Sequence, residues 1–72
     1  MFETPDFEQM ARELVPEPAM VRMVVEALRQ VWNARGAADL AKIETELASQ
    51  MGATASGPYL KNLNRALRSL DR

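Results

Sequence analysis

The chain has 72 residues, 47% apolar and 26% charged, with a net charge of −1, no cysteine and no histidine. That length holds one domain, spanning residues 1–72, with little stability to spare, and leaves no room for a large two-lobed active site. The proportions are those of a folded soluble chain, and no apolar run approaches the roughly 18 residues of a membrane span.

Four segments carry helical periodicity, separated by proline or glycine, and none alternates as a strand would. The fold class expected is therefore all-α: a small compact bundle of four short helices over about 5–15, 18–35, 38–51 and 58–71. In the first, Thr4 is placed to cap and Pro5 to open the helix, and Phe7, Met10, Ala11, Leu14 and Val15 form one apolar stripe. Pro16 and Pro18 end it, because neither can continue the backbone ladder.

The second segment is broader in its apolar coverage. Met20, Val21, Met23, Val24, Val25, Ala27, Leu28, Val31 and Trp32 cover roughly 200° of arc, about twice that of an ordinary surface helix. Such a helix must be covered on two sides. It is expected at the centre of the bundle, the alternative being half of a homodimer seam, with Met20, Met23 and Trp32 as candidate protein-interface residues. Gly36 is placed for the left-handed residue that closes it.

The third helix is expected to begin near Ala38 or Asp39 and to end at Gly52, with a narrow stripe of Leu40, Ile43, Leu47 and Met51. In the fourth, Ser56 or Gly57 would cap, Pro58 would open the helix, and Tyr59, Leu60, Leu63, Ala66, Leu67 and Leu70 would face inward.

Charge is unevenly distributed. Residues 1–17 carry Glu3, Asp6, Glu8, Glu13 and Glu17 against Arg12, whereas residues 57–72 carry Lys61, Arg65, Arg68 and Arg72 against Asp71. An acidic head and a basic tail can attract each other within one chain, pair between copies, or offer the tail to an anionic partner; the first is the default expectation. The acidic start is also unlike an export leader, and the absence of cysteine gives no disulfide framework, so a cytoplasmic location is expected.

Without histidine or cysteine the commonest general base, the thiolate nucleophile and the usual zinc ligands are missing together. Glu44 and Glu46, two apart on a helix, point in different directions and are expected on a solvated surface. The glycines have no phosphate-loop spacing, and Thr54, Ser56 and Tyr59 lack a base partner. Neither enzyme activity nor a metal or other cofactor is expected.

The stretch "ELASQMGATASGPYLKNLNRAL" resembles in part a helix-turn-helix, with Leu47, Ala48, Met51 and Gly52 at the expected mutual spacing. Where the motif has an apolar residue six positions after its glycine this chain has Pro58, so the turn is expected to be longer than standard by one or two residues. The last helix adds a second signal: Lys61, Asn64, Arg65, Arg68 and Arg72 lie within about 100° of arc, opposite the leucine stripe. Basic groups there would meet phosphates, with Asn64 or Arg65 reaching base edges. A non-catalytic DNA-binding regulator is the first functional expectation and a protein-interaction module or homo-oligomer the second. An ordinary solvated helix face would show similar charge, and the isoelectric point of about 5.3 lies below the basic value, above about 9, usual for nucleic-acid binders.

Overall fold

The computed structural model describes the backbone of residues 4–71 and the side chains of residues 4–52 and 57–71. Its elements are α1 (Phe7–Leu14), α2 (Pro18–Ala34), α3 (Leu40–Met51) and α4 (Ala53–Leu70), an all-α bundle.

Local chemistry sets the ends of α1. Asp6, rather than Thr4, is the N-cap: its carboxylate accepts a hydrogen bond from the Gln9 backbone N–H at 3.1 Å. Aspartate is the stronger cap of the two and sits at the right offset from the first helical donor. Pro5 therefore lies outside the helix rather than at its first position. At the far end Val15 is extended (φ −137°, ψ 146°), the conformation that the following Pro16 imposes on its predecessor, and its side chain is buried.

Pro18 opens α2, where its missing N–H has no helical partner to lose. Met20, Val24, Ala27, Leu28 and Val31 are buried along one face, and α2 touches each of the other three helices. Most of the wide apolar arc is thus covered within one chain, with α2 at the centre as expected, while Val21, Met23, Val25 and Trp32 at its margins stay half-buried. The helix closes one residue earlier than Gly36: Arg35 already adopts the left-handed conformation (φ 52°, ψ 49°), followed by Gly36 at φ 90°. A side chain in that region costs about 1 kcal/mol or more.

Asp39 caps α3 by accepting from the Lys42 backbone N–H at 3.2 Å. Leu47 and Met51 are buried, and meet Leu63, Leu67 and Leu70 of α4 in a core that also holds Phe7 and Ala11 of α1. All four helices therefore share one apolar interior.

The connection between α3 and α4 departs from the expected long turn. Gly52 alone joins them, serving as the C-cap of α3 and the N-cap of α4, with φ 86° and ψ 138°. Residues 53–57 form the first turns of α4 instead of a loop, and neither Ser56 nor Gly57 is its cap. Pro58 lies inside the helix, where it removes the hydrogen bond to the Thr54 carbonyl. A reading that stops the turn at proline misses this, because it assigns proline the first helical position by default.

Gly52 shows how the reversal is made in so little chain. Its dihedrals lie near a region that is essentially glycine-only. A Cβ built there would meet nothing within 4 Å, so substitution is penalised by backbone conformation alone. Gly52→Ala is expected to cost about 1–3 kcal/mol, measured as a shift in the urea midpoint. A value near zero would mean that the chain reverses elsewhere.

Candidate nucleic-acid interface

The 18 residues of α4 make a helix about 27 Å long at the usual rise per residue. Leu63 and Leu67 are 1% exposed and Leu70 is 7% exposed, which turns the opposite side of the helix to solvent. On that side Lys61, Arg65 and Arg68 are exposed and Asn64 is half-buried. These four side chains line an open groove of about 370 Å³. Four of the five residues predicted for the strip are therefore brought together, and Arg72 lies outside the described residues.

Where the basic groups are not is equally informative. The ion pairs found among the described residues are Glu8–Arg12 at 2.6 Å, Glu26–Arg29 at 3.4 Å and Glu44–Arg68 at 3.5 Å. None joins the acids of α1 to the bases of α4, so the default expectation of an internal head-to-tail attraction is not realised as a salt bridge. Lys61 and Arg65 take part in no ion pair among the described residues, and their charge faces water.

Glu44 is the correction that matters most at this surface. Its side chain is only 15% exposed, against 69% for that of Arg68, whereas Glu46 remains exposed as expected. Glu44 is four residues after Leu40 and three before Leu47, which sets it beside the stripe that α3 turns inward. That spacing was the signal available in the sequence. Its Oε1 is buried without a hydrogen bond, while the Nε of Arg68 stands 3.5 Å away. The pair is thus in range for charge attraction and outside the geometry of a hydrogen bond.

Asn64 is also constrained. Its Oδ1 is buried with no donor, so the amide does not offer both its oxygen and its nitrogen to the groove. A bidentate contact to adenine needs both. Of the two predicted base-reading residues, Arg65 is exposed and Asn64 half-buried.

The second set of candidates, Met20, Met23 and Trp32, does not form one patch. Met20 is 7% exposed and belongs to the core. Met23 and Trp32 are nine residues apart, which at 100° per residue puts them on opposite flanks of α2. Met23 lines a small cleft with Ile43 and Leu47 of α3, and Trp32 meets Phe7 of α1 edge-on, ring centroids 6.3 Å apart. Their half-burial reflects packing against two different neighbours.

Elsewhere a concavity of about 400 Å³ runs between α1 and α2 past Phe7, Val21 and Val25. Among the described residues no group of three or more acidic side chains is placed to hold a metal ion, and no helix is long and apolar enough to cross a membrane. The chain matches no family model, no curated protein and no solved structure.

Proposed function

We propose that this chain is a non-catalytic binding protein whose α4 face contacts the phosphate backbone of duplex DNA. The observation that carries the reading is the solvent-facing cluster of Lys61, Arg65 and Arg68 on the side of α4 opposite its buried leucines. Phosphate contacts position a protein on DNA without reading sequence, and basic side chains on one helix face are suited to that task. Arg65 is the candidate for any base contact, since guanidinium groups reach guanine edges in the major groove. The helix-turn-helix comparison supports the reading less than the charged face does: that motif has a turn of three to four residues, and here Gly52 alone connects the two helices.

The test is titration of a labelled duplex across a salt series. Each neutralised phosphate contributes roughly 0.9 to the slope of log affinity against log salt. Three contacts predict a slope of about −2.7, and about −3.6 if Arg72 adds a fourth. A flat salt response, or no association at the lowest salt, would remove the proposal.

A second reading, a homodimer, draws on a different surface. The α1–α2 groove exposes part of Val21 and Val25 between side chains of both signs, Glu8 and Glu26 with Arg22 and Arg29. An isologous contact needs a patch that complements itself, and mixed charge around an apolar strip meets that condition. A solution mass of two chains together with no DNA binding would favour it over the first.

A further inference from the structure

We infer that Glu44, on α3, is a positioning residue for Arg68: its charge draws the Nε side of the guanidinium toward α3 and leaves the terminal nitrogens free to face a phosphate. The inference rests on the reading of α4 as a DNA-contacting face.

The argument begins with a disadvantage. Placing a carboxylate in a site 15% exposed, with one oxygen buried and no hydrogen bond to it, gives up hydration that the protein does not fully replace. An apolar side chain there would avoid that loss, and a glutamine would reduce it by removing the charge. An acidic group beside an anion-binding face also repels the ligand. Burial and charge therefore both oppose Glu44, which leaves orientation as its physical use.

The geometry fits that use. The contact runs from Glu44 Oε1 to Arg68 Nε rather than to a terminal nitrogen. A guanidinium is a rigid plane with five donors, so engaging it through Nε leaves the far edge free. Arg68, with its side chain 69% exposed, lines the same groove as Lys61, Asn64 and Arg65. A free arginine must give up side-chain entropy to make a two-pronged phosphate contact, and a restrained one gives up less.

The experiment compares the full-length chain with Glu44→Gln and Arg68→Lys, by anisotropy of a short labelled DNA duplex over a salt series, with urea unfolding in parallel. Glu44→Gln removes a negative charge near the face, so simple electrostatics predicts tighter binding. Positioning predicts the opposite: affinity about three- to tenfold weaker, with a salt slope shallower by roughly 0.9 as one phosphate contact is lost. Arg68→Lys keeps the charge but loses the fork, and is expected to weaken binding by a similar factor. Should Glu44→Gln alter stability, the double variant decides the matter: positioning predicts that Glu44→Gln adds no further loss of affinity once Arg68→Lys has removed the fork, and a full additive loss contradicts it. Binding by either variant that equals or exceeds that of the parent chain overturns the inference while leaving the DNA-binding reading in place. Absence of binding by the parent chain overturns both.

Discussion

Leu28→Ala is expected to destabilise the fold by about 3 kcal/mol, within the 2–5 kcal/mol usual for a buried leucine. Leu28 is 0% exposed and lies on the face of α2 that holds Val24 and Val31. Its loss leaves a cavity beside a helix that packs against each of the others. A domain of this size has roughly 4–11 kcal/mol of stability in total, so the variant forfeits a large part of it. Its melting temperature should fall by about 12–24 °C. Leu60→Ala is the internal comparison: Leu60 is half-buried, and removing its side chain should cost about 1 kcal/mol. Equal effects at the two sites would contradict the placement of the core.

The second large effect is on binding. The double variant Lys61→Glu with Arg65→Glu is expected to weaken association with duplex DNA by at least about a hundredfold at low salt, since it turns two attractive phosphate contacts into repulsive ones. These two positions are cleaner targets than Arg68. A glutamate at position 68 would stand beside Glu44 and add like-charge repulsion to the α3–α4 seam, confusing lost affinity with lost fold. Lys61 and Arg65 are exposed, so their reversal should leave the urea midpoint within about 0.5 kcal/mol of the parent. Unchanged affinity would mean that the cationic face is only a solvated surface.

The sequence makes the four helices legible because periodicity and punctuation agree. Proline at the first position of α2 and aspartate before α3 set starts that the structure keeps, and the 200° apolar arc places α2 at the centre. The α3–α4 joint is less legible. Gly52 signals a reversal, but nothing in "TASGP" distinguishes a five-residue turn from five helical residues, since proline suits both a helix start and a loop.

The cationic face follows from helical phase alone, because Lys61, Arg65 and Arg68 repeat at spacings of four and three. Its partner on α3 does not. Glu44 falls beside the apolar stripe of its own helix, yet which neighbour would cover it depends on how α4 returns across α3, and that is a tertiary fact. Met20, Met23 and Trp32 part company for a related reason: a wide apolar arc says how much of a helix is covered, not that its margins share a neighbour.

The edge-on contact of Trp32 with Phe7 gives the molecule an intrinsic optical reporter. Trp32 is the sole tryptophan, and its indole leans on the first helix, so its emission should register whether that short N-terminal element is seated. The cationic groups project from another helix and do not include this chromophore. Release of α1 can therefore be followed in the ultraviolet independently of a labelled ligand, separating loss of structure from loss of attachment in a single cuvette.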